Sequence, residues 1–177
     1  MSTYMPTMMY YIVPVPHISV LIIYQIYYPI LFLGVVAAGG VFAGSNPSYT
    51  QFELSHHIKT AKVKFIISEP HIVAPVLAAA HENDILKSRI WIFDEFNREL
   101  PSNMKSWRSL LGHGEQDWVR FDDLATAKST AAARFFSSGT TGLPKAASVS
   151  HYNLAAQHTL VYEAHPRPYK VGFCGSR

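Results

Sequence analysis

No Asp, Glu, Lys or Arg occurs before Glu53, and residues 18–44 within that stretch are mostly apolar. A run of this kind must leave water, either into a bilayer, which about 20 apolar residues suffice to span, or into a protein core. A membrane span is opposed by Gln25 and Pro29 near its middle, by Gly34, Gly39 and Gly40, and by the lack of a preceding basic residue to orient it. The basic start of a signal peptide is also missing, because Met1 to Val15 carries no positive charge. The stretch therefore reads as two buried elements, a β-rich run from Ile18 to Tyr24 and a helix opening at Pro29 and stopping at Gly39-Gly40. Proline suits the first helical turn, where its absent N–H is not missed, and glycine suits the position just past a helix end.

Further along, Val41 to Ala43 predicts a short strand and Asn46-Pro47 a turn. Thr50 with Glu53 has capping-box spacing, which predicts a helix over Gln51 to Thr60. Val63 to Ile67 is β-branched and aromatic, a strand, and Ser68-Glu69-Pro70 opens a helix with Val73, Val76, Leu77 and Ala80 on one face. Asn83-Asp84 end that helix before a strand at Ile90 to Phe93. Strand and helix alternate, which predicts an α/β fold with a mostly parallel sheet and flanking helices. Asp94 to Thr130 reads as a polar surface excursion with one helical patch at Trp107 to Leu111. Asp122-Asp123 reads as a solvated turn, since adjacent carboxylates diverge in any regular element. Ala131 to Phe136 predicts a buried strand. Ser150 caps a final helix carrying Leu154, Val161 and Tyr162 on one side.

Composition narrows the function classes. The 177 residues suit one domain, and charged residues make up 15%, against about 25% in an average soluble domain. The net charge of +3 is scattered, with no basic run to track nucleic acid. The single Cys174 cannot form an internal disulfide. The nine histidines include no His-Glu-x-x-His, and the adjacent His56 and His57 point to different helix faces, so no metal site is expected.

The chemistry concentrates in Ser137-Ser138-Gly139-Thr140-Thr141-Gly142-Leu143-Pro144-Lys145. Holding a polyphosphate takes many donors in a small space, a backbone that approaches closely, and a positive charge. Ser137, Ser138, Thr140 and Thr141 offer hydroxyls, Gly139 and Gly142 permit tight turns that aim N–H groups inward, and Lys145 brings the charge. Pro144 stiffens the exit. A Walker loop is excluded, because Pro144 precedes the lysine and Ala146 follows it; the dinucleotide fingerprint is excluded for want of a third glycine in step. A flexible linker would not sit between a Phe135-Phe136 strand and a Leu-Pro-Lys-Ala-Ala exit.

This segment, with Ser150-His151-Tyr152-Asn153 after it, closely resembles the signature of the AMP-binding, adenylate-forming superfamily, especially acyl- and aryl-CoA ligases of the 4-coumarate type. The resemblance extends upstream through Tyr27-Tyr28-Pro29, Gly39 to Phe42, Asn46 to Tyr49 and Ile66 to Glu69, covering about Tyr27 to Tyr162. It implies a divergent apolar segment at 1–26, a partial AMP-binding N-terminal domain at 27–166 with its phosphate loop at 137–145, and a divergent tail at 167–177. It also implies a two-step ligase: a carboxylate attacks the α-phosphate of ATP, pyrophosphate leaves, and the coenzyme A thiol displaces AMP from the acyl-adenylate. Ser137, Ser138, Gly139, Thr140, Thr141 and Gly142 would hold the β- and γ-phosphates, and Lys145 would offset charge on the departing pyrophosphate, with Mg2+ arriving in the ATP complex. His151 is implied to orient the following helix rather than to act as acid or base.

The resemblance has departures. Ala146 stands where many relatives have glycine. The chain shows no counterpart of the family's adenine-binding aromatic segment, acidic ribose motif, hinge or catalytic lysine, so it is expected not to complete adenylation alone and to hold no catalytic residue. The partners so implied are a carboxylic acid, ATP and coenzyme A, in the cytoplasm or a peroxisome. A different reading is a non-catalytic remnant, either a phosphate-binding module or a fragment anchored to a membrane through residues 18–44.

Overall fold

A computed structural model of the chain describes residues 17–21, 27–94, 100–114, 117–137 and 143–164. The alternation of buried β-branched runs with helical stretches builds one seven-stranded sheet, in the order β5-β4-β3-β1-β2-β6-β7. Its strands are β1 His17–Leu21, β2 Val41–Gly44, β3 Phe65–Ser68, β4 Ile90–Ile92, β5 Lys105–Ser106, β6 Ala131–Ser137 and β7 Lys145–Ser150. All neighbours are parallel except β6 and β7. The helices are α1 Tyr27–Ala37, α2 Gln51–Ala61, α3 Val73–Glu82, α4 Leu124–Ser129 and α5 His151–Ala164.

Successive strand residues point to opposite faces, and both faces are apolar because both are covered. Phe42, Phe65, Ile67, Trp91 and Ala133 pack on the face covered by α1, while Ala43, Ile66 and Ile90 pack on the face covered by α2 and α3. In α2 the buried residues are Leu54, His57, Ile58 and Ala61, the spacing of one helical stripe. α1 is apolar all round. Its Tyr28, Leu31, Phe32, Val35 and Val36 meet the sheet, while Ile30 and Leu33 stay exposed. Of the predicted apolar front, Ile18, Val20, Val35, Ala38 and Val41 to Ala43 are buried and β1 lies at the centre of the sheet, while residues 22–26, which include the end of the predicted β-rich run, lie outside the described residues. Among the described residues no helix is long and apolar enough to cross a membrane.

Three helices end the same way. Past α1, Gly39 N–H reaches the Val36 carbonyl and Gly40 N–H the Val35 carbonyl, with Gly39 at φ +75°. Past α2 and α3 the matching left-handed positions are Lys62 and Asp84, with φ of 54° and 57°. This paired closure satisfies carbonyls that a helix end leaves open. Gly39 is the most constrained, because a Cβ there would sit 3.0 Å from Val119 Cγ2. Gly39→Ala is therefore expected to lower stability by about 1–2 kcal/mol, read as a lower urea midpoint at unchanged slope.

Several sequence expectations change. The stretch after Asp94 is not a bare surface excursion. Asp94 is buried, accepts a 2.6 Å hydrogen bond from Ser106 Oγ and pairs with Arg108, and Trp107 and Leu110 enter the core. Two short elements in it, β5 and α4, carry too little periodicity to show in sequence; Asp122 and Asp123 are exposed, as a solvated turn requires, and Asp123 also caps α4. Residues 145–150 form β7, which the small, polar Lys-Ala-Ala-Ser-Val-Ser run does not announce. Finally, α5 has no buried residue: Val161 and Tyr162 are exposed and Leu154 is half-buried.

Candidate functional site

Parallel α/β sheets bind ligands beyond the carboxyl ends of their strands, where neighbouring connections leave toward opposite faces. Here the connection after β1 runs to α1 and that after β2 to α2, on opposite faces. A cleft of about 750 Å³ opens at this point, lined among others by Tyr28, Gly44, Ser45, Asn46, Tyr49 and Phe136. Asn46 shapes its rim, because its Oδ1 accepts the Ser48 N–H at 2.9 Å. The cleft was not foreseen from sequence, although strand-ending Gly44-Ser45-Asn46-Pro47 was the available signal.

β6 carries the chain to this same edge. Its partner β7 runs antiparallel, with Phe135 opposite Ala147 and Ser137 opposite Lys145. Directly opposed residues share a sheet face with Cβ atoms about 4.5–5.5 Å apart, so Ser137 and Lys145 stand side by side at the mouth of the hairpin. Both are exposed. Among the described residues no carboxylate lies within ion-pair distance of Lys145. Ser138, Gly139, Thr140, Thr141 and Gly142 lie outside the described residues.

The other side of the hairpin rests on α2. Arg134 Nη1 donates to the Thr60 carbonyl at 3.2 Å, and the His57 ring lies 4.1 Å from that of Phe136. His57 is 1% exposed, and burial, with His56 beside it, pushes its pKa down to about 4. It is a neutral core group. The neighbouring His56 instead reaches the Pro144 carbonyl, with Nε2 at 3.0 Å.

α5 begins with a reciprocal cap. Ser150 Oγ accepts the Asn153 N–H at 3.2 Å, while Asn153 Oδ1 accepts the Ser150 N–H at 3.1 Å. His151 has its ring on Phe121 at 3.9 Å and its N–H on the Thr130 carbonyl at 3.2 Å, and burial lowers its pKa. These contacts tie it to the start of α5.

The fold and the edge together define a doubly wound α/β protein in which the antiparallel pair β6–β7 reaches the edge where the cleft opens. The chain belongs to the AMP-binding enzyme family, whose sequence profile matches residues 14–172. It is 50% identical over 149 residues to the phenylacetyl-CoA ligase epaB of Aspergillus niger, a match covering 83% of this chain and 28% of that protein. It is 48% identical over 137 residues to the acyl-CoA synthetase ACTT5 of Alternaria alternata, covering 77% of this chain and 24% of that one. The fold is shared with ATP-bound MatB from Rhodopseudomonas palustris at a TM-score of 0.66 and 24% identity, over 84% of this chain and 27% of that one. A long-chain-fatty-acid-CoA ligase from Archaeoglobus fulgidus gives 0.68 at 20% identity, over 83% and 27%. The chain thus spans between 24% and 30% of the length of its first relatives.

Proposed function

We propose that the chain supplies the polyphosphate grip of an acid–thiol ligase that activates a carboxylic acid with ATP to an acyl-adenylate and then passes the acyl group to coenzyme A. Membership of the AMP-binding enzyme family and the named activities of the relatives support the reaction class. The observation that carries the grip is the register of the hairpin, which sets Lys145 opposite Ser137, with no carboxylate within ion-pair distance of Lys145 among the described residues. The residues between them in sequence carry three further hydroxyls, on Ser138, Thr140 and Thr141. In such a site Lys145 neutralises charge that accumulates on the β- and γ-phosphates as the bond to the α-phosphate breaks. Ser137, Ser138, Thr140 and Thr141 donate to phosphate oxygens, and Gly139 and Gly142 let the backbone close around them. Mg2+ enters with ATP as part of the substrate.

The test is titration of the 177-residue chain with tripolyphosphate and with Mg-ATP by isothermal calorimetry, beside Lys145→Ala. A charged hydrogen bond contributes about 1.5–3 kcal/mol, so the variant is expected to bind about 10- to 100-fold more weakly. Equal affinity in the two chains would remove Lys145 from the site.

A further inference from the structure

We infer that His56 is a positioning residue for the phosphate loop, holding Lys145 in place through the carbonyl of Pro144. The inference rests on the phosphate-grip reading above and adds to it the group that fixes the loop's exit. A hairpin loop is only as well placed as its two roots, and the two roots here are tied to α2 by different means. On the entry side, Arg134 bonds to the Thr60 carbonyl and Phe136 packs on the buried His57 ring. On the exit side stands His56, with Nε2 3.0 Å from the Pro144 oxygen.

The chemistry of this contact is directional. A carbonyl only accepts, so His56 must carry its proton on Nε2 to make the bond. Thr60 Oγ1 lies 3.5 Å from the same nitrogen and is the longer contact. The bond does not need a charged imidazole, because neutral and protonated rings both offer the Nε2–H. Pro144 lies just outside the β6–β7 ladder, whose last pair is Ser137 with Lys145. Its fixed φ and the bond to His56 together set the direction in which the chain enters β7, and so where the next residue, Lys145, begins. Consecutive helix residues lie about 100° apart, which is how His57 turns inward to the core while His56 reaches sideways to the turn.

The experiment measures hydrogen exchange by mass spectrometry on the full chain without ligand, and tripolyphosphate affinity separately. In His56→Leu, exchange of the peptide spanning 137–145 is expected to rise about fivefold, with α3 and β4 unchanged, and affinity to fall by a similar factor. His56→Gln places an N–H near the position of Nε2 and is expected to restore both. Unchanged exchange at 137–145 in His56→Leu overturns the inference, as does a rise spread equally over the sheet or a failure of glutamine to rescue. A wild-type chain that binds no tripolyphosphate overturns the phosphate reading instead, and the ligand-free exchange keeps the two failures apart.

Discussion

Phe42→Ala is expected to destabilise the chain by about 3–5 kcal/mol, the range for deleting a fully buried aromatic side chain from a packed interior. Phe42 is 0% exposed in the middle of the sheet, opposite Ile18 of β1 and Ala133 of β6. Its ring takes Tyr28 and Phe32 edge-on, at 5.5 and 5.0 Å between centroids. Truncation therefore loses transfer free energy, two aromatic contacts, and the body that fills the space between α1 and β2. Backbone hydrogen bonds on both sides hold the strand, so little collapse into the void is possible. Small domains are stable by about 5–15 kcal/mol in total, so this one change removes a large share. Urea denaturation of the variant checks the value, beside Phe52→Ala as a comparison. Phe52 is 68% exposed, and its removal is expected to stay within about 0.5 kcal/mol. A loss below about 1 kcal/mol at Phe42 would show that the α1 face of the sheet is loosely packed.

Local rules that act over four residues or one helical turn came through: the Thr50–Glu53 box and the glycine stop at Gly39 form as read, and the strand read at Val63 to Ile67 begins two residues later, as Phe65–Ser68. The hidden parts are those where a distant partner decides. β5 has two residues and exists because β4 offers an edge. β7 has a weak strand sequence and exists because β6 pairs with it over six registered positions. Asp94 looks like a surface carboxylate until Ser106 and Arg108 close over it.

The candidate site divides in the same manner. Residue types at 137–145 are what suggest the proposed phosphate chemistry, through their hydroxyls, glycines and one lysine in that order. Spacing could not show that Ser137 and Lys145 are directly opposed, since that follows from the register of β7. Nor could it show that α2 reaches both roots of the hairpin through His57 and His56, contacts separated by 79 and 88 positions. The expected divergence of these two rings was readable from helix geometry; what each would touch was not.

His57 gives the second large prediction, a loss of stability between neutral pH and about pH 4. In the folded chain the imidazole is 1% exposed against Phe136, its Nε2 is 3.5 Å from Ser19 Oγ, and its Nδ1 has no hydrogen-bond partner among the described residues. A proton on such a ring would put a charge in the core beside His56, and the pKa falls from the ordinary 6.5 to about 4. In that interval the unfolded chain binds a proton that the folded chain refuses. Stability therefore falls as pH drops from about 6.5 to about 4, and this group takes nothing further below that. The full gap is worth about 3 kcal/mol. His17 and His151 shift in the same direction, each mainly through burial, so the wild-type curve alone does not isolate His57. Glu53 and Asp123, held below the ordinary carboxylate range by Thr50 and Thr126, weaken the fold only at lower pH. The informative quantity is the difference between wild type and His57→Gln, which keeps a polar group near Ser19 but does not titrate. Urea midpoints at a series of pH values are expected to fall less steeply in the variant between pH 6.5 and 4, by about 3 kcal/mol over the whole interval. Parallel curves for the two chains would mean that His57 is solvated in solution, and that the contact between α2 and β6 opens there.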